Sequence, residues 1–329
     1  MGNRSLYDLI VIGAGPAGIS LAVEAIKANV CPDNVLVLEK FEDHSWSIRK
    51  FYPEDKLVTA NYKGKDVQCF GNMCLLDSSK DETLDYLTNA INENKVNVLY
   101  NHPVSEIKKL KNGQYTVCAN DECFVTKTIG IAIGVLGKPN RPSYPIPADV
   151  SPNVFFDVTT KKFIDKNILV VGGGDSASEY SQYLISLGNK VSLSYRREEF
   201  TRMNDINLRY LEELERTQKL NVMRSTDIES LESKDSSVQV NFKDNQAIIY
   251  DAIIYALGGT TPKNFLEGIG INMTKEGPEV SDFFESKHEG IFLLGDLTAG
   301  KGGGSINVAF NSSHKAIREV CNMYLDCKI

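Results

Sequence analysis

The chain contains no Cys-x-x-Cys. Its seven cysteines, Cys31, Cys69, Cys74, Cys118, Cys123, Cys321 and Cys327, fall at irregular spacings and in odd number. That pattern excludes the short-spaced pairs of zinc ribbons, and reduced thiols in a cytoplasmic protein are the simplest expectation. Histidine is scarce: His44, His102, His288 and His314 are scattered, so no metal site is expected. No apolar run reaches the roughly 18 uninterrupted residues of a membrane span. Positive charge is not in excess, since 36 Lys and Arg face 43 Asp and Glu for a formal net charge of −7. A whole-protein nucleic-acid binder is therefore not expected, although a local basic face remains compatible with the balance. The N-terminus imitates two targeting signals and satisfies neither. The apolar stretch Leu9 to Val23 holds glycines that the fold requires, and position 6, where a myristoylation motif needs Ser or Thr, is Leu.

What is present is the composition of a soluble globular protein, with 42% hydrophobic and 24% charged residues over 329 positions, enough for two ordinary domains. Residues 7–12 read as a buried strand, 16–28 as a helix and 34–39 as a second strand, which is a βαβ unit with a right-handed crossover. A helix is predicted over 82–93. Strands are predicted near 96–100, 114–118, 122–126 and 128–134. A Pro/Gly-rich stretch at 137–147 reads as a connector. A second βαβ unit spans 167–195, a charged helix follows at 205–216, and short strands occupy 238–255. Thr260-Thr261-Pro262 reads as a return link. A strand at 291–294 and a helix from about 306 to 325 end the chain. The expected fold is α/β: two Rossmann-like three-layer dinucleotide-binding domains, the second inserted in the first. Residues 1–137 and 262–329 form one domain and 138–261 the other.

The first unit carries Gly13-Ala14-Gly15-Pro16-Ala17-Gly18 between its strand and helix. Gly13 allows the tight turn, Gly15 lets a diphosphate approach the backbone, and Gly18 allows close helix–sheet packing. The helix N-terminus offers amides and a positive dipole end. Glu39, followed by Lys40, ends the second strand, where a carboxylate can accept hydrogen bonds from an adenosine ribose. The second unit carries the variant Gly172-Gly173-Gly174-Asp175-Ser176-Ala177, and its second strand ends in Tyr195-Arg196-Arg197. With no acidic residue at that ribose position, the arginines suit a 2′-phosphate and favour NADP over NAD; a solvated basic turn is the plain alternative. Gly295-Asp296 follows an apolar strand, where Asp296 could meet a ribityl hydroxyl. Gly300 to Gly304 reads as a flexible approach, and the helix start at Ser305-Ile306-Asn307 could direct backbone amides at a flavin edge.

Together with Ala132-Ile133-Gly134 and Ala256-Leu257-Gly258, these motifs in this order resemble the thioredoxin-reductase-like flavoproteins over essentially the whole chain. The resemblance implies an FAD domain interrupted by an NADPH domain, in a homodimer. It places Val104 against the adenine and gives Ser305, Ile306 and Asn307 backbone roles only.

Two departures bear on the chemistry. Where thioredoxin reductases carry their dithiol, this chain reads Phe156-Asp157-Val158-Thr159-Thr160. Where relatives that reduce bacillithiol disulfide carry a cysteine in the first glycine turn, it has Ala17. What remains is the group whose flavin passes electrons directly outward: ferredoxin or flavodoxin NADP reductases and flavodoxin:quinone reductases. The stretches 49–53, 61–64 and 139–145 look most like the last of these. Flavodoxin, ferredoxin or a quinone is thus the expected electron partner. The first half-reaction requires no catalytic side chain. Segment 44–64, with Trp46, Phe51, Tyr52 and Tyr62 among Arg49, Lys50, Lys56, Lys63 and Lys65, reads either as a flavin-side wall with a basic rim or as a locally packed loop. Two other functions stay open: a disulfide reductase using Cys69 or Cys74, and a nucleotide-sensing binding protein.

Overall fold

The computed structural model describes residues 6–54, 56–60, 67–134, 139–244, 246–258, 263–274, 277–299 and 304–328. The return link at 260–262, residues 300–303 of the glycine-rich approach, and Tyr62, Lys63 and Lys65 lie outside the described residues. The chain forms two compact units. One comprises Met1–Arg49, Leu57–Gly137 and Thr261–Ile329, the other Lys50–Lys56 and Lys138–Thr260.

The chain runs β1 (Leu6–Ile12), α1 (Pro16–Lys27), β2 (Val35–Leu38), α2 (Trp46–Phe51), β3 (Leu57–Val58), β4 (Ser78–Ser79), α3 (Lys80–Glu93), β5 (Asn97–Leu99), β6 (Val104–Lys109), β7 (Tyr115–Ala119) and β8 (Glu122–Ile131). It continues with β9 (Val154–Phe155), β10 (Asn167–Val171), α4 (Asp175–Ser186), β11 (Lys190–Tyr195), α5 (Asp205–Arg216), β12 (Leu220–Arg224), β13 (Ile228–Lys234), β14 (Ser237–Phe242), β15 (Ala247–Tyr250) and β16 (Ala252–Tyr255). It ends with α6 (Lys263–Gly268), β17 (Ile291–Leu293) and α7 (Ile306–Met323).

In the first unit the sheet order is β5-β2-β1-β8-β7-β6, with β17 also on β8. Strands β5, β2, β1, β8 and β17 are parallel, and β7 and β6 extend the sheet antiparallel. Leu9, Ile10 and Val11 are wholly buried on both faces, as an interior parallel strand requires. Helix α1 packs against α7, and Ser313 Oγ donates to the Ala17 carbonyl at 2.8 Å. The separate strands expected at 122–126 and 128–134 are one strand, β8. Its first half pairs with β7 while its length follows β1 from Val125 to Ile131, so pairing on both sides carries it through the polar break. The two buried threonines there keep their hydroxyls bonded, Thr126 to the Thr128 carbonyl and Thr128 to the Asp8 carbonyl.

The second unit holds a parallel sheet, β12-β11-β10-β16-β9, and an antiparallel sheet, β13-β14-β15. Its βαβ core is β10-α4-β11, built around Ile168, Val170, Ala177, Leu184 and Leu193.

The expectation of reduced thiols is corrected. Cys69 pairs with Cys74, Cys118 with Cys123 and Cys321 with Cys327, which leaves Cys31 as the free, exposed thiol. Their Cα atoms are 5.7, 4.1 and 4.9 Å apart. Only the fold brings these pairs within bonding range: a loop turns 69 onto 74, the β7–β8 hairpin sets 118 opposite 123, and the chain doubles back after α7. The pairing removes the cysteine argument for a reducing compartment.

Candidate functional site

The first glycine turn separates glycines required by packing from one that leaves space. Gly13 has φ +101°, and a Cβ there would meet the Ala132 carbonyl. A Cβ on Gly18 would collide with the Gly13 carbonyl oxygen. At Gly15 the nearest atom lies 4.0 Å from the added Cβ. Gly15 is the N-cap of α1 and brings no side-chain cap, Pro16 is at the first turn, and no acidic residue follows there. By contrast α3, α5 and α7 are capped by Ser79, Asn204 and Ser305. The α1 start thus presents backbone donors and positive dipole to open space, a cradle that fits a diphosphate.

Side chains from distant positions hold this turn. Ala14 N–H donates to Glu39 Oε2 at 2.7 Å, and Phe41 N–H donates to Oε1 at 3.0 Å. Each oxygen keeps a second lone pair, so these bonds orient the Glu39 carboxylate without exhausting it. Ser45 N–H donates to the Ala14 carbonyl at 2.8 Å. Behind Ser45, the buried His44 has Nδ1 3.1 Å from Ser45 Oγ, and Arg49 approaches its Nε2 at 3.0 Å. Burial and the Arg49 charge lower the His44 pKa below its ordinary 6.5, against an opposing pull from Asp43. The exposed Lys40 lies over Phe41, 4.5 Å from the ring centroid. Val104, half-buried, opens β6 opposite Ala119, and the preceding residues Asn101 and His102 bond back to Phe41 and Glu39.

Gly295 has φ +66°, and a Cβ on it would lie 2.9 Å from Ala17 Cβ, so the third motif sits directly on the first. Asp296 accepts from Gly304 N–H at 3.1 Å, and burial raises its carboxyl pKa. Ser305 Oγ caps the Val308 amide, and among the described residues no side chain caps those of Ile306 and Asn307. The Asn307 side chain is locked elsewhere, accepting from Leu75 N–H at 2.8 Å and donating to the Leu75 carbonyl at 2.9 Å. Gly134, two residues after Ala132, is at φ +62°, and among the described residues no atom lies within 4 Å of an added Cβ there.

The second turn repeats the design. A Cβ on Gly172 would strike the Ala256 carbonyl and crowd Ala177, whereas Gly174 has nothing within 4 Å. Gly174 caps α4 without a side-chain bond, and Ser176 is exposed. Asp175 is turned to α5, its Oδ1 accepting from Asn204 N–H at 2.7 Å and Asn207 Nδ2 at 3.1 Å. Gly173 is imposed by the Tyr195 ring, which fills the space of any Cβ. Tyr195 stacks on Phe200 with centroids 4.9 Å apart, and Arg224 lies 5.4 Å from the Phe200 ring while pairing with Glu215. That stack fixes the turn bearing the exposed Arg196 and Arg197. Among the described residues no carboxylate pairs with either arginine. Gly258 is at φ +75° beside Asn140. Sequence reasoning missed Phe200, Arg224 and the exposed Arg202, whose backbone bridges to Gly174. The spacing of arginines from 196 to 202 is the one signal that could have found Arg202.

Described residues of segment 44–64 find partners elsewhere in the chain. Trp46 stacks on Phe41 at 4.0 Å and 8°. Arg49 pairs with Asp43, Lys50 with Asp157 at 3.6 Å, and Lys56 with Glu179. Asp157 also accepts from Thr159 and Thr160. Burial works to raise its carboxyl pKa, and these donors with Lys50 outweigh it and hold the group low. These described cations are therefore partnered rather than arrayed as a rim.

A family model described as pyridine nucleotide-disulphide oxidoreductase matches residues 10–295, which includes both glycine turns and reaches Gly295. The chain belongs to this family. A ferredoxin–NADP reductase from Ignicoccus hospitalis is 26% identical over 304 residues, covering 89% of this chain and 90% of that one. Among solved structures, the bacillithiol disulfide reductase of Bacillus cereus superposes with TM-score 0.81 at 21% identity, covering 97% and 99%. Lactococcus lactis thioredoxin reductase superposes at 0.76 and 22%, covering 96% and 98%. Family membership makes this chain an oxidoreductase, and the two structures show that its fold is thioredoxin-reductase-like. No helix among the described residues is long and apolar enough to cross a membrane.

Proposed function

We propose that the protein is an FAD-dependent NADPH oxidoreductase that exchanges electrons directly with ferredoxin, flavodoxin or a quinone. The observation that carries this reading is the pair of uncapped helix starts, α1 and α4, each opened by a glycine with free space above it. The first unit would hold FAD through Gly13, Gly15, Pro16, Ala17, Gly18, Glu39, Lys40, Val104, Ala132, Gly134, Gly295 and Asp296, with the backbone of Ser305, Ile306 and Asn307. The second would hold NADPH through Gly172, Gly174, Asp175, Ser176, Ala177, Tyr195, Arg196, Arg197 and Gly258. Bound flavin supplies hydride acceptance and one- or two-electron release, which suits a nicotinamide donor and a one-electron carrier.

The protein's own residues place and polarise. The α1 amides would take the diphosphate, Glu39 would orient the ribose, and the α7 start would offer donors that favour negative charge on a bound flavin. Arg196 and Arg197 neutralise the 2′-phosphate. No side chain is required to move a proton in hydride transfer, and Asp157 with Thr159 and Thr160 stands where a dithiol relay would be. The names of curated relatives such as that of Ignicoccus hospitalis support ferredoxin as carrier. The reading includes a homodimer and, because NADPH is a cytoplasmic reductant, a cytoplasmic location.

A stopped-flow experiment tests it. NADPH should bleach the bound flavin, and ferredoxin, flavodoxin or a quinone should restore its colour; failure of all three acceptors rejects the reading. A second reading, disulfide reduction, has one observation in its favour, the Cys69–Cys74 pair beside α7. NADPH-driven opening of that pair, with a flavin–thiolate charge-transfer band, would distinguish it.

A further inference from the structure

Residues 67–77 form no helix or strand, yet their backbone is held at several points by side chains from three helices. Asn311 of α7 donates to the Gln68 carbonyl at 2.7 Å and accepts from Phe70 N–H at 3.1 Å. Glu24 of α1, only 3% exposed, accepts from Asn72 N–H at 2.5 Å and Asn72 Nδ2 at 2.8 Å. Tyr86 of α3 accepts from Cys74 N–H at 2.9 Å. Asn307, in the first turn of α7, grips both backbone groups of Leu75. A Cβ on Gly71 would collide with Glu24 and crowd His314, so the loop lies as close to the helices as glycine allows.

The Cys69–Cys74 disulfide closes this loop from the solvent side. Cys74 is exposed and Cys69 half-exposed. The other two disulfides are differently placed. Cys118 and Cys123, half-exposed like Cys69, face each other across strands already bonded in register, and Cys321 is 5% exposed with Cys327 half-exposed, so Cys74 is the one exposed half-cystine of the three disulfides. Thiol–disulfide exchange needs an attacking thiolate to reach a sulfur, and exposed disulfides are the more readily reduced, so the exposed Cys74 favours the 69–74 pair. Cys74 is joined directly to Leu75, so the disulfide lies one residue from the clamp on the α7 start.

We propose that Cys69–Cys74 is a redox-modification site: an external dithiol opens it, and its state sets how firmly the loop and, through Leu75 and Asn307, the start of α7 are held. A thiolate of the dithiol attacks Cys74 Sγ, and the bond to Cys69 Sγ breaks with Cys69 leaving as thiolate. The second thiol of the reagent then displaces Cys74. Two electrons and two protons pass to the pair, and the reagent leaves as its cyclic disulfide. The site modulates and does not relay. Its consequence for the flavin rests on the function proposed above; its chemistry does not.

The test equilibrates the full chain in graded mixtures of reduced and oxidised dithiothreitol. Thiols are trapped by alkylation and mapped by peptide mass, and amide hydrogen exchange is read on matched samples. Cys69 and Cys74 should be labelled together, at a reduced-to-oxidised ratio about tenfold lower than Cys118, Cys123, Cys321 and Cys327 require. Exchange at 68–75 and 305–309 should rise at that same ratio. The C69S/C74S double variant, checked for native circular dichroism, should show raised exchange that no longer depends on the ratio. C118S/C123S should keep the response. The proposal is overturned if the 69–74 pair opens last, if exchange at 305–309 ignores its opening, or if NADPH alone opens it, which would make it a relay. None of the supporting readouts uses flavin activity, so they stand or fall separately from the proposed function.

Discussion

Gly18 lies against the carbonyl of Gly13 so closely that no Cβ fits between them, whereas Gly15, midway along the turn, faces open space. Residues sharing one motif therefore do different work, and the difference can be measured. Gly18→Ala should destabilise the fold by about 1–3 kcal/mol through overpacking. Gly15→Val, at an extended backbone position any residue adopts, should leave the unfolding midpoint of flavin-free protein nearly unchanged while abolishing FAD binding. Released-flavin absorbance and denaturant melts check both, and a yellow Gly15→Val protein would show that FAD does not lie over this turn.

Nucleotide choice should follow the exposed arginines. Replacing Arg196 and Arg197 together with uncharged residues should weaken NADPH use by about 2–4 kcal/mol in kcat/KM, the worth of non-additive charge-assisted bonds. NADH use should change little. The Tyr195–Phe200 stack holds the turn from beneath, so the fold should survive the double change. Equal losses for both nucleotides would show that the pair does not read the 2′-phosphate.

Electron flow should not depend on sulfur. A variant with all seven cysteines changed to Ser or Ala should still pass electrons from NADPH to ferredoxin, flavodoxin or an artificial dye. Loss of three short-loop disulfides should cost about 2 kcal/mol each, so flavin content and melting must be matched before rates are compared. An FAD-loaded variant that accepts hydride but cannot pass electrons onward would move the assignment to a disulfide reductase.

Stability should fall with acidification through the ordinary histidine range. The lowered His44 pKa means that the unfolded chain binds its proton first, so the contribution is full above about 6.5 and is lost as pH falls toward the folded value. Protonation would set His44 against Arg49 beneath the Ser45–Ala14 bond, loosening the first glycine turn. Urea titrations between pH 7.5 and about 5 should show this slope, and His44→Gln should flatten it; an unchanged slope assigns the effect to another group.

The two nucleotide-binding folds are legible in the chain because each rests on a local pattern: a buried strand, a glycine turn, a helix and a second strand, all within one βαβ stretch. The missing Cys-x-x-Cys is equally local, and Thr159 and Thr160 in its place bond to Asp157 two and three residues away. What the amino-acid order by itself does not disclose depends on residues meeting across long separations. Cysteine spacings of five and six become disulfides only once a hairpin, a loop and a helix end bend the backbone. Residues 50–56 join the second unit because Lys50 and Lys56 find Asp157 and Glu179. The grip of Glu24 on Asn72 and of Asn307 on Leu75 leaves no periodic trace in the sequence. Short-range backbone preference writes helices, strands and turns into neighbouring residues; a hydrogen bond between segments tens to hundreds of residues apart is set only when packing has placed both ends.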